Sequence, residues 1–120
     1  MKRALIVGAL AALLTAPAFA AKVWVTGSVE KTIVSTDDKF GGCLMTLSEP
    51  YNSRIGCANA FLSLDCAGNF GTASEGRRRL DQVLLAAAMG VEVRVQINSA
   101  RVLNGWCAVD AVQVIYPSAP

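Results

Sequence analysis

The sequence predicts an all-β domain carrying a single helix and stapled by two disulfides. Three observations point there. Runs of β-branched and alternating apolar residues recur from residue 22 to residue 115. One stretch, GTASEGRRRLDQVLLAAAMG (71–90), has helical spacing with a start and a stop signal. Four cysteines, Cys43, Cys57, Cys66 and Cys107, all follow an N-terminal export signal.

That signal is MKRALIVGALAALLTAPAFA. Lys2 and Arg3 precede an apolar run from Ala4 to Leu14, and Ala18-Phe19-Ala20 supplies small residues where a signal peptidase reads. Residues 1–20 are thus expected to be cleaved, and they are too short and wrongly flanked to span a membrane. Ala21, not a cysteine, stands directly after the cleavage site, which argues against a lipoprotein. Residues 21–120 form one small domain, periplasmic or secreted, with no stable membrane insertion.

Export changes the charge argument. The full chain has 11 Lys+Arg and 9 Asp+Glu. Lys2 and Arg3 leave with the signal, so 9 of each remain and the mature domain is formally neutral. Nucleic-acid binding needs a basic field, so it is not expected. The chain has no His, which excludes Ser-His or Cys-His catalysis and His-based metal sites. The cysteines lack the paired C-x-x-C spacing of a zinc site; an even number in an exported chain reads as two disulfides. No metal or cofactor is expected.

The elements follow in order. KVWVTGSVEKTIVS (22–35) reads as a long strand bent at Gly27, with Val23, Val25, Val29, Lys31 and Ile33 on the glycine's alternating set. STDDKFGG (35–42) is a turn-rich connection, CLMTLS (43–48) a second strand, and EPYNSRIGCAN (49–59) a loop. AFLSLDC (60–66) is a third strand, with Ala60, Leu62, Leu64 and Cys66 on one face and Phe61, Ser63 and Asp65 on the other. Thr72 and Glu75 make a capping box, so the helix starts near Ala73, and Gly90 stands where a C′ glycine belongs. Leu80, Val83, Leu84, Ala87 and Ala88 form its apolar stripe. The run Arg77-Arg78-Arg79 reads as a solvated face, with Arg77 paired to Asp81 at i,i+4. VEVRVQI (91–97) is a strand, NSARVLNG (98–105) a loop ending in the turn pair Asn104-Gly105, and WCAVDAVQVI (106–115) a last strand. Its alternation breaks between Ala111 and Val112, a candidate bulge.

Strand–strand–strand–helix–strand–strand is the order of an OB-fold, a five-stranded Greek-key barrel with its helix between strands three and four. That hypothesis fixes the cysteines. Strands two and three would form an antiparallel hairpin, and pairing Glu49 with Ala60 sets Cys43 opposite Cys66, within disulfide reach. Strands three and five would run parallel, so Cys57 and Cys107 meet at one barrel end. Cys66–Cys107 would instead link opposite ends, about 20 Å apart at about 3.3 Å per residue.

The segments GGCLMTLS, GCANAFLSLDC, RRRLDQVLLAAAMG, VEVRVQI and NGWCAVDAVQV resemble small exported bacterial OB-fold proteins. Among these are the B subunits of AB-type toxins of the subtilase-cytotoxin and pertussis-like kind. The resemblance covers the layout of residues 22–115. It implies a ring of five chains and a glycan ligand on a cell surface, and it carries over no individual contact residue.

Binding residues are therefore sought in the regions OB-folds use, the strand two–three face and the loops after strands one and four. These offer Asp37, Asp38, Lys39, Tyr51, Arg54, Arg101, Asn104 and Trp106. Trp106 either stacks on a ligand or packs the barrel edge. The expectation is a non-catalytic binding or assembly module for a glycan or protein. The alternative is a monomeric protein-interaction or inhibitor domain. Asp37-Asp38, Asp65 and Asp110 are the carboxylates an enzyme would need, but no spacing brings two of them together. For assembly, Trp24, Val34, Val112 and Val114 are expected to form an exposed apolar patch on the outer faces of strands one and five.

Overall fold

The computed structural model describes residues 22–49, 57 and 61–118. Residues 1–20, expected to be a signal, together with Ala60 and with Tyr51 and Arg54, expected in a loop, lie outside the described residues. Among the described residues are six strands, one α-helix and a short 3-10 turn (Asp38–Phe40): β1 (Lys22–Gly27), β2 (Val29–Val34), β3 (Cys43–Leu47), β4 (Leu62–Ser63), α1 (Ala73–Met89), β5 (Val93–Leu103) and β6 (Trp106–Val114). They form one mixed sheet in the order β1-β5-β6-β4-β3-β2. Every pairing is antiparallel except β4–β6, where Ser63 lies beside Ala108 in parallel. Among the described residues no helix is long and apolar enough to cross a membrane.

The sheet is open, with β1 and β2 at its two edges, so among the described residues it shows neither the five strands nor the closed barrel expected. The long first strand is interrupted at Ser28, which exchanges bonds with Ser48: Ser28 N–H donates to Ser48 Oγ (2.9 Å) and Ser48 N–H to Ser28 O (2.9 Å). β1 and β2 thereby become separate strands at the two ends of the sheet order. Val25 and Gly27 are buried and Val23 and Val29 partly so, but Lys31 and Ile33, on the same alternating set, are exposed.

β3 is buried along its whole length because both its faces are covered. β4 is much shorter than expected, and its polar side is not a solvent face. Ser63 and Asp65 are as buried as Leu62 and Leu64. The β3–β4 register is also two residues away from the expected one. Leu44 faces Ser63 and Met45 faces Leu62, and Cys43 O accepts the Leu64 N–H at 3.0 Å. Cys43 still bonds Cys66, with Cα atoms 5.6 Å apart. Asp65 adopts a left-handed φ of 56°, and this turn directs the chain back toward Cys43. Cys57 bonds Cys107, with a Cα separation of 5.7 Å, and no cysteine is free.

α1 begins with the expected capping box, both reciprocal bonds present, and ends at Gly90 with φ 66°. Its buried line is Gly76, Val83 and Ala86, with Leu80 packed beside it. Leu84 and Leu85 are 43% and 40% exposed, and Ala87 and Ala88 are also exposed. The expected stripe is thus rotated around the helix. The reason is close approach: a Cβ on Gly76 would overlap the Asp65 carbonyl and lie 2.7 Å from Cys66 Cα. Only small residues fit at that contact, so the bulky leucines stay outside.

β5 runs on to Leu103 through the segment expected to be a loop. It accommodates three extra residues, 99–101, between the pairs Asn98–Ala108 and Val102–Cys107. The turn at Asn104 (φ 53°) and Gly105 (φ 88°) is where the sequence put it. In β6 the extra residue is Asp110, since Gln96 pairs with Ala111 and Ile97 with Val109. The core gathers Val25, Met45, Leu47, Leu62, Leu64, Val83, Val93, Val95, Ile97 and Val109 around the buried cysteines. Val112 and Val114 pack against it, and Arg94 covers Trp24, its guanidinium carbon 4.6 Å from the ring centroid. Of the expected outer patch, only Val34 is left widely exposed, at 71%.

Candidate functional site

Three local irregularities converge on one cleft. The first is the turn after β4. Asp65 is 1% exposed, and its carboxylate ties the following loop into a knot. Oδ1 accepts the Asn69 N–H (2.8 Å) and Asn69 Nδ2 (3.0 Å), and Oδ2 accepts the Phe70 N–H (2.8 Å). Ser63 Oγ accepts the Asp65 N–H at 3.2 Å and donates to Phe40 O at 2.6 Å. Short Asp side chains favour such turns because they reach their own backbone a few residues on and tolerate left-handed φ. The knot presents the Phe70 ring at the surface.

The second is the pair of bulges in β5 and β6. Asn98 is buried; its Oδ1 accepts the Ala100 N–H (3.0 Å) and its Nδ2 donates to Asp110 Oδ2 (2.9 Å). Asp110 also pairs with Lys22 Nζ at 3.3 Å and Arg101 at 3.5 Å. A bulge re-aims side chains, and here it turns an aspartate out of an apolar strand and sets Arg101 beside it. The Arg101 guanidinium lies 5.8 Å from the Phe70 ring centroid.

The third is the first half of α1. Arg79 is half-buried, unlike Arg77 and Arg78, and its Nε donates to Leu64 O at 3.0 Å. Arg77 Nε donates back to Ala73 O at 3.4 Å. The ion pairs among the described residues are Lys22–Asp110 and Arg101–Asp110, so the expected Arg77–Asp81 pair does not form.

Between these elements lies a cleft of about 120 Å³. Asp65, Phe70, Glu75, Arg79, Arg101 and Asp110 line it over Ala108 and Val109. A wider, shallower groove of about 280 Å³ runs past the Cys43–Cys66 bridge, lined by Val34, Ser35, Asp38, Gly42, Cys66, Ala67, Arg77 and Leu80.

Of the residues singled out from sequence, Arg101 lines the cleft. Asn104 forms the β5–β6 turn. Trp106 stacks between Phe40 (3.9 Å between centroids, 17° between planes) and Phe61 (5.2 Å, 23°), half-buried and away from the cleft. Asp37 caps its own turn by accepting the Lys39 N–H at 3.0 Å, and Asp38 borders the wider groove. Sequence reasoning missed Phe70, Arg79 and Asn98, and it named Asp65 and Asp110 without foreseeing that the fold brings both to one cleft. An Asp with Gly68, Asn69 and Phe70 close behind it was a readable turn signal. Arg79, three residues after Gly76 and four before Val83, was readable as part of the buried line. No protein-family model, curated protein or solved structure matches the chain.

Proposed function

We propose that the mature chain is an exported, non-catalytic binding and assembly module of OB type whose ligand is a glycan. The observation that carries this reading is the state of the cleft carboxylates. Asp65 and Asp110 each accept three hydrogen bonds or ion pairs that hold the surrounding loops. Acid–base work needs a carboxylate free to exchange a proton with a substrate, and these two are occupied in supporting the fold. What remains at the surface is an aromatic ring flanked by polar arms, the usual kit for orienting a polar ligand.

The OB assignment draws support from the chain path. β1 and β2 are consecutive but stand at opposite ends of the sheet order. Counted as one bent strand pairing with both β3 and β5, they restore a five-strand plan with the helix between the third and fourth. Two disulfides are compatible with the periplasm or the extracellular space, and the leader sequence favours export. By resemblance to toxin B subunits the ligand is a cell-surface glycan and the assembly a pentamer. The neutral mature charge argues against nucleic acid.

A second reading, a protein-interaction or inhibitor domain, is favoured by one feature, the exposed Leu84, Leu85 and Met89 on α1. A glycan array on the signal-free, oxidised protein separates the two. Selective glycan signals support the first reading. A blank array from folded protein that co-elutes with an added protein partner supports the second.

A further inference from the structure

Resting on the binding-module reading, we propose that the cleft selects its ligand by a carboxylate group held by Arg79 and Arg101, with the ligand's carbon framework against Phe70. The argument is which hydrogen-bonding groups are already committed. A guanidinium carries five N–H donors. Arg79 uses Nε on Leu64 O, and among the described residues it has no carboxylate partner. Arg101 makes one long contact to Asp110, at 3.5 Å. The acceptors are the reverse case. Asp65 already accepts three hydrogen bonds and is closed to solvent. Asp110, its side chain 13% exposed, already holds Lys22, Asn98 and Arg101. Glu75 is turned toward the Thr72 N–H as part of the helix cap. The cleft therefore offers more uncommitted donors than acceptors, Glu75 at the exposed helix cap being the lining acceptor with room for another partner.

A cationic ligand would find only Glu75 open at the rim; to engage the other carboxylates it would have to displace Asn98 or Lys22 from Asp110, or the loop from Asp65, and would loosen the cleft it enters. A carboxylate displaces nothing, and its planar fork matches the guanidinium plane. The lining charges and Lys22 sum to zero, with Asp65, Glu75 and Asp110 against Arg79, Arg101 and Lys22. Long-range attraction is thus absent, and selection rests on short contacts. About 150 Å³ accommodates benzene in an apolar cavity, so 120 Å³ holds a carboxylate and a few carbons. Any larger ligand projects outward.

The test is amide NMR on the signal-free oxidised protein, titrated at matched ionic strength with propionate, its neutral isostere propionamide, and inorganic phosphate. Propionate is expected to shift the Phe70, Arg101 and Ala108 amides saturably in the millimolar range, with propionamide and phosphate clearly weaker. Arg101→Gln, at an exposed position, should weaken propionate about tenfold, the scale of one charge-assisted bond. Arg79→Lys, which keeps the charge and loses the fork, should weaken it as well. Propionamide matching propionate, or phosphate exceeding it, overturns carboxylate selection. So does a folded protein whose cleft amides ignore propionate. A glycan that shifts the same amides when propionate does not overturns this proposal and leaves the module reading standing; a blank array with propionate bound does the opposite.

Discussion

Gly76 of α1 lies directly against the carbonyl of Asp65, closely enough that a Cβ on the glycine would overlap that oxygen. The contact brings the helix down onto the turn after β4 and sets one wall of the cleft. Gly76→Ala is therefore expected to destabilise the domain, although alanine is the better helix former by about 1 kcal/mol. Backbone atoms have to move to admit the methyl, and overpacking of this kind costs about 1–3 kcal/mol. Urea melts of the oxidised protein check the sign. An alanine variant as stable as the parent would mean that the helix does not sit this close.

Asp65 gives a second expected outcome. Asp65→Ala removes the charged acceptor of the part-buried Asn69 and Phe70 N–H groups, and a hydrogen bond to a charged group is worth about 1.5–3 kcal/mol. Asp65→Asn keeps one acceptor oxygen and tolerates the left-handed backbone, so it should lose less than the alanine variant. Amide exchange at Asn69 and Phe70 reads the loop directly and should accelerate in both. Equal melts for the two variants would show that the carboxylate is not what holds the loop.

The helix face separates two neighbouring residues. Val83 is fully buried and Leu84 is 43% exposed. Val83→Ala removes two methyl groups from the core and should cost about 2 kcal/mol. Leu84→Ala should stay near the surface norm of about 0.5 kcal/mol. Reversed magnitudes in denaturant melts would restore the stripe read from sequence.

These residues also show what the sequence made legible. Signals that act within a few residues were readable: the Thr72–Glu75 box, the Gly90 stop, the Asn104-Gly105 turn. The disulfide pairing was reached because topology brings Cys57 and Cys107 to one end whatever the local register. The β3–β4 register was missed because the left-handed turn at Asp65, not strand pairing, delivers Cys66 to Cys43. The burial of Ser63 and Asp65 was not legible, because a polar residue looks the same in sequence whether water or a buried loop satisfies it. The helix stripe was misplaced for a related reason: hydrophobicity marks leucine, whereas close backbone contact selects glycine and alanine. Asp110 sits within an apolar strand, and its partners Asn98 and Lys22 come from strands that only the sheet brings beside it.

The two bridges should differ in worth. Cys43–Cys66 closes a separation of 23 residues and Cys57–Cys107 one of 50. Loop-closure entropy alone assigns them about 3.4 and about 4.1 kcal/mol at 25 °C. Replacing each pair by Ser should therefore lower stability more for Cys57/Cys107 than for Cys43/Cys66. Melts of the two double variants, with non-reducing peptide mapping of the parent, check both connectivity and order. Free thiols or a Cys66–Cys107 bridge in the parent would contradict the strand arrangement.

Assembly is expected to use the outer side of α1. Leu85 and Met89 stand one helical turn apart with Leu84 beside them, each at least 40% exposed. A domain this small has little area to leave three large apolar side chains in water, and such clusters usually mark an interface. The strand-one and strand-five surface does not offer one, since Val112 and Val114 pack on the core and Arg94 lies over Trp24. Light scattering on the signal-free protein is expected to give a multiple of the chain mass. Leu85→Lys with Met89→Lys should return it to one chain without unfolding, because neither side chain belongs to the buried line of the helix. A parent mass of one chain at every concentration removes the ring, and an oligomer indifferent to both lysines moves the interface elsewhere. In either case the cleft, which opens between the start of α1 and the β5–β6 bulges, keeps its own test.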